Sequence, residues 1–241
     1  NKVLECIGLA RKKEIIETNF NSMDFLTDLI NSVCMLIHEG LEYRFSHRSF
    51  QEYFAALYTT QLDDSQQKRF LKLWLQDNSY RTTSNYLDML YELQPSRFIK
   101  NIISPAIREL HELYNNNGES EEWLINLMYE DVCVRKYKDG QKRCAVSIKE
   151  FYFHDMIMRA CNIGGLYKNM KEERAQRSKT REEPLIKILE ENYGIDKEVE
   201  FDELKQNGYK KEMLEGLHWI IERFEFAVNY IESVDIDPLA R

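Results

Sequence analysis

The sequence predicts a mainly α chain: a winged-helix unit with a β-hairpin, then a helical bundle or stack, then a small α+β domain at the C-terminal end. Three observations carry this. Apolar residues recur at helical spacing through much of the chain, as in Phe50, Tyr53, Phe54, Leu57 and Tyr58 at i, i+3, i+4, i+7 and i+8. Runs with strand-like alternation flank Glu39-Gly40 and Asp139-Gly140, two turn signals. The 241 residues, 43% hydrophobic and 12% aromatic, suffice for one large or two modest cores. Changes of pattern divide the chain at residues 1–62, 63–130 and 131–241.

Taken in order, Val3 to Ala10 reads as a short helix, and Phe25, Leu26, Leu29, Ile30 and Val33 mark a second. Met35 to His38 and Leu41 to Phe45 pair as a hairpin around Glu39-Gly40. Ser46 is the expected N-cap of the next helix. It would let Phe45 staple onto Phe50 and would put His47 in the first turn, where unpaired backbone N–H groups and the helix dipole favour an anion. The stripe Phe50, Tyr53, Phe54, Leu57 and Tyr58 is expected to be buried, with Gln51, Glu52 and Thr59 off it.

Helices follow. Phe70, Leu71, Trp74 and Leu75 form one stripe, and Tyr86, Leu87, Leu90, Tyr91 and Leu93 another that ends at Pro95. A third runs from Phe98 to Leu113 across Pro105, where a kink or break is expected, and Ser120 caps a fourth through Met128. Asp131 to Lys149 reads as a hairpin with a two-residue turn at Asp139-Gly140, which would make Cys133 and Cys144 same-face diagonal neighbours. Phe151 to Cys161 is a helix rich in aromatic residues and Met, stopped at Gly164-Gly165. Glu183-Pro184 is expected to open a new helix. The last helix carries Met213, Leu214, Leu217, Ile220, Ile221, Phe224, Val228 and Ile231 on one stripe.

Charge narrows the function classes. The net charge of −8 disfavours broad nonspecific binding to nucleic acid or membrane surfaces, and no run reaches the length of a membrane helix, so a cytoplasmic protein is expected. One segment departs from the acidic background. Lys168, Lys171, Arg174, Arg177, Lys179 and Arg181 oppose only Glu172 and Glu173, and Lys171, Arg174, Arg177, Lys179 and Arg181 are the polyanion-binding candidates. The five cysteines are odd in number and scattered, which predicts free thiols and no metal site. No Walker A run and no H-E-x-x-H or G-x-S-x-G motif occurs, so no catalytic residues and no ATPase activity are expected of this chain.

The run Phe45-Ser46-His47-Arg48-Ser49-Phe50-Gln51-Glu52-Tyr53-Phe54-Ala55-Ala56 resembles the winged-helix segment of NACHT proteins, a branch of the STAND signalling NTPases. A weaker likeness extends upstream through Asp24 to Ile30 and Met35 to Leu41. The resemblance implies that His47 contacts the β-phosphate of bound ADP in a full-length parent and holds the closed, inactive state. It also implies an upstream NACHT ATPase module in the same polypeptide, which starts in this sequence at Asn1 rather than Met. ATP and ADP would be that parent's cofactors, with none in this chain. Innate or anti-phage defence, a protein or nucleic-acid trigger and homo-oligomerisation on activation are implied in the same way. Everything after Asp131 would be the sensor, with the hairpin Val132 to Ile148 and the basic run as interface candidates. The alternatives are a winged-helix DNA-binding regulator and a cryptic nuclease or effector. The first needs basic side chains on the recognition helix, and Asp24 to Ser32 has none. The second needs clustered acidic or His residues, and the five histidines are dispersed.

Overall fold

Asn21 accepts a hydrogen bond from the Met23 N–H through Oδ1 at 2.8 Å, satisfying one orphan donor at the start of a helix. The computed structural model describes residues 2–13, 21–76, 84–166 and 170–236, with side chains for 4–9, 21–73, 84–166 and 181–234. The described residues are mainly helical, with two small antiparallel sheets. It divides into two compact units, Asn1–Gln67 with Ser79–Pro95, and Lys68–Asn78 with Ser96–Arg241.

The first unit contains α1 (Lys2–Lys13), α2 (Ser22–Asn31), the hairpin β1 (Leu36–Glu39) and β2 (Glu42–Phe45), α3 (Arg48–Gln61), the start of α4 (Asp64–Gln76), and α5 (Tyr86–Leu93). Glu39 pairs with Glu42, so the two loop residues are Gly40 and Leu41, one position later than the sequence reading. Gly40 takes φ +64, and a hairpin turn of two residues needs glycine at its first central position when that position is left-handed.

The buried face of α3 is the opposite of the expected one. Glu52, Ala56 and Thr59 are buried, whereas Phe50, Tyr53, Phe54 and Tyr58 are exposed. The small Ala56 and Thr59 let α3 approach α5, whose Tyr86, Leu87 and Leu90 close the seam. The polar groups brought inside are paired. Arg48 Nε donates to Glu52 at 2.8 Å, the Thr59 hydroxyl bonds the Ala55 carbonyl and the Tyr86 hydroxyl, and Gln67 donates to the Thr59 carbonyl. Burial pushes the Tyr86 phenol up to about 12, against the lowering effect of its bond to Thr59, so it stays neutral. Periodicity marks which face is apolar; it does not say whether anything covers it.

The second unit is built on a helical run from Pro95. It passes through α6 (Pro95–Phe98), a π turn at Ile99–Ile103 and α7 (Ser104–Asn116). The π turn ends two residues before Pro105. Proline has no N–H for the Asn101 carbonyl and its ring crowds that carbonyl, so the helix widens there. After α8 (Glu121–Met128), capped by Ser120 as expected, β3 (Tyr129–Lys136) and β4 (Lys142–Ile148) pair, and β5 (Val199–Glu200), absent from the sequence reading, adds a third strand in the order β4-β3-β5. The chain continues with α9 (Phe151–Ile163), α10 (Met170–Asn192), α11 (Phe201–Gln206), α12 (Lys210–Leu217) and α13 (Trp219–Ile236). Leu71, Phe98, Ile103, Ile107, Leu110, Leu124, Ile125, Met128, Met156 and Phe224 are among its fully buried large side chains.

Three sequence expectations change here. Tyr137 pairs with Gln141, so the β3–β4 loop has three residues with Gly140 left-handed at φ +78, and every cross-strand partner shifts by one. Val134 now faces Cys144, which puts Cys133 and Cys144 on opposite faces of the sheet. Pro184 lies inside α10 rather than at its start, because helix-forming residues continue on both sides and Leu185 and Leu189 anchor the next turn in the core. The last stripe is split at His218 into α12 and α13; the buried Gly216, where a Cβ would lie 2.7 Å from Leu185, brings α12 against α10.

Candidate functional site

His47 lies in the first unit at the junction of β2 and α3, and it is itself the N-cap, with φ −138 and ψ 139. Ser46 is the residue before it. Its hydroxyl donates to the Cys34 carbonyl at 2.6 Å and its N–H to the Met35 carbonyl at 2.9 Å, so it fastens the hairpin and leaves capping to His47. With the cap one residue later, the staple changes: Phe45 stacks on Phe54 at 5.9 Å. His47 Nδ1 accepts from the Ser49 N–H at 3.1 Å, and Phe50 N–H donates to the His47 carbonyl. Two first-turn amides are thus already partnered. The imidazole is exposed, and with Nδ1 as acceptor its proton is on Nε2, which can donate to an anion.

The basic run lies in the second unit. Lys168 lies outside the described residues. Lys171, Arg174, Arg177 and Lys179 fall on α10, with their side chains outside the description. Arg181 is exposed and pairs with Glu222 at 3.1 Å, an exposed ion pair worth at most about 1 kcal/mol.

A polar cluster unrecognised in the sequence lies between β3, α9 and α13. The buried Tyr129 hydroxyl meets His154 Nδ1 at 2.8 Å, and Arg223 stacks over Trp219 at 4.3 Å. Burial, joined by the field of Arg223 and opposed by Asp155, holds His154 below its ordinary value of 6.5. The unfolded chain therefore takes up this proton at higher pH than the folded one. The stability contributed is whole above about pH 6.5 and declines as pH falls through that value toward the lower folded pKa. His154→Gln is expected to flatten that decline in urea titrations at successive pH values. Parallel profiles for the two proteins would exclude the burial account. The nearby Cys161 thiol is pushed up to about 12 by burial, so it is protonated and no nucleophile at neutral pH.

Among the described residues no group of three or more His, Cys, Asp or Glu side chains is placed to hold a metal ion. No described helix is long and apolar enough to cross a membrane. In comparison with known families, the model of the short NACHT-associated C-terminal domain, family 7, fits residues 91–238. No curated protein and no solved structure matches the chain.

Proposed function

The chain belongs to the short NACHT-associated C-terminal domains, family 7, and from that membership we propose that it is the regulatory and ligand-sensing C-terminal region of a NACHT-type signalling NTPase. The observation that carries this division of labour is where the match falls. It begins at Tyr91 and covers nearly all of the second compact unit, while the segment resembling a NACHT winged helix, with His47, precedes it.

In this reading the first unit is the switch. His47 caps α3 through Nδ1 and donates a hydrogen bond from Nε2–H to the β-phosphate of ADP bound by the upstream NACHT module. The exposed aromatic face of α3, Phe50, Tyr53, Phe54 and Tyr58, supports a further module lying over it, since clustered exposed aromatic residues mark interaction surfaces. The second unit is the sensor. It has no catalytic role, ATP hydrolysis belongs to the parent, and activation leads to assembly of several copies in cytoplasmic innate or anti-phage defence. A ligand drives such a switch only by binding one state better than the other.

The test is an exchange. Residues 96–241 of the full-length protein are replaced by the same region of another member of the family. Trigger specificity is expected to follow the exchanged region; a chimera that folds but keeps its original trigger would refute the assignment.

A further inference from the structure

Every residue from Arg135 to Arg143 is exposed, and five of these nine are cationic: Arg135, Lys136, Lys138, Lys142 and Arg143, against the single carboxylate of Asp139. In a chain of net charge −8 this is a marked local reversal. The register sharpens it. Arg135 sits directly opposite Arg143, and Lys136 directly opposite Lys142, two successive like-charge pairs of the kind that destabilise a hairpin. Asp139 relieves Arg143 at 2.7 Å and Glu190 relieves Lys142. Arg135, Lys136 and Lys138 have no carboxylate at ion-pair distance among the described residues; the neighbour that acts most on Arg135 is the Cys133 thiol, with Asp196 a lesser influence.

Successive strand residues point to opposite faces, so one like-charge pair decorates each face of the ribbon. Charge on both faces suits a ligand that flanks the ribbon on two sides, as the phosphate rails of a nucleic-acid groove do; the major groove of B-DNA admits a two-stranded ribbon. Tyr137 stands beside the loop, 43% exposed, with the Arg143 guanidinium 4.8 Å over its ring, an aromatic surface on which an unpaired base can stack. We propose that the end of the β3–β4 hairpin is a nucleic-acid binding site, with Arg135, Lys136 and Lys138 on backbone phosphates and Tyr137 on a base. It deepens the sensor reading by naming a ligand class, yet binding here requires neither His47 nor a nucleotide switch.

The experiment is fluorescence anisotropy of the whole chain with labelled oligonucleotides of about 20 residues, as single-stranded RNA, single-stranded DNA and duplex DNA. Three phosphate contacts predict that affinity falls about 20- to 40-fold between about 50 and 200 mM salt. The triple variant R135E/K136E/K138E is expected to lose about tenfold or more at low salt. Its melting temperature should hold or rise, because carboxylates would then face Arg143 and Lys142. A variant with R174E and R177E on α10 should bind as the parent chain does. Tyr137→Ala should weaken single strands about fivefold or more and the duplex far less. The probe bound most tightly identifies the polymer. The site is refuted by absence of binding to all three probes at about 50 mM salt, by a folded triple variant that binds normally, or by loss of binding only in the α10 variant. Failure of the domain exchange would leave this result untouched, so the two proposals can be lost separately.

Discussion

The full-length NACHT protein carrying His47→Asn is expected to be active without its trigger. Asparagine is among the best N-cap residues, so it can take over the bond to the Ser49 N–H and keep α3 intact while removing the imidazole Nε2 donor. Alanine would be a poorer choice, because it also removes the cap, worth about 1 kcal/mol. A hydrogen bond to a charged phosphate is worth roughly 1.5 to 3 kcal/mol, and if His47 makes it only in the closed state, its loss raises the open population by about tenfold to a hundredfold. Signalling output in the absence of trigger, set beside the melting temperature of the variant, measures this. A folded variant that stays silent would count against His47 as the latch.

Phe224→Ala is expected to cost about 3 to 5 kcal/mol, a large share of the 5 to 15 kcal/mol that holds a domain folded. Phe224 is 2% exposed on α13 and meets Tyr114 of α7 edge-on at 5.1 Å, with His111 at 6.1 Å, so truncation opens a cavity where two helices meet. Phe50→Ala on the open face of α3 is expected to cost under about 1 kcal/mol in the same chain. Urea midpoints for the two variants decide the matter. If they are similar, the assignment of core and surface is wrong.

The contrast between these two phenylalanines shows what sequence pattern carries. Both sit on clean helical stripes, and each stripe marked helical residues, although the one through Phe224 spans two helices, α12 and α13. Burial was legible for Phe224, whose neighbours on the stripe, Leu217, Ile220, Ile221 and Ile231, are all inside. It was not legible for Phe50, because α3 buries Ala56 and Thr59 against α5, and small or polar residues at an interhelical seam give no apolar signal. The cap at His47 was missed by one residue for a related reason. Ser46 has the stronger intrinsic preference, but its hydroxyl is drawn to the Cys34 carbonyl, twelve positions earlier.

The β3–β4 hairpin was legible in its strand-forming residues and in Asp139-Gly140; its register was not. Glycine's left-handed backbone suits either a two-residue or a three-residue loop, and the difference of one moves Cys144 from the face of Cys133 to the other. The basic cluster at the hairpin end stands among the residues in plain sight, but only pairing shows that like charges oppose each other there. The sequence by itself determined the helical class, the positions of most elements and the family likeness around His47, because these rest on local spacing and on a dozen consecutive residues. The tertiary structure alone decided which faces are covered, which residue caps α3 and which cations stand opposite one another, because each of these depends on a partner distant in the chain.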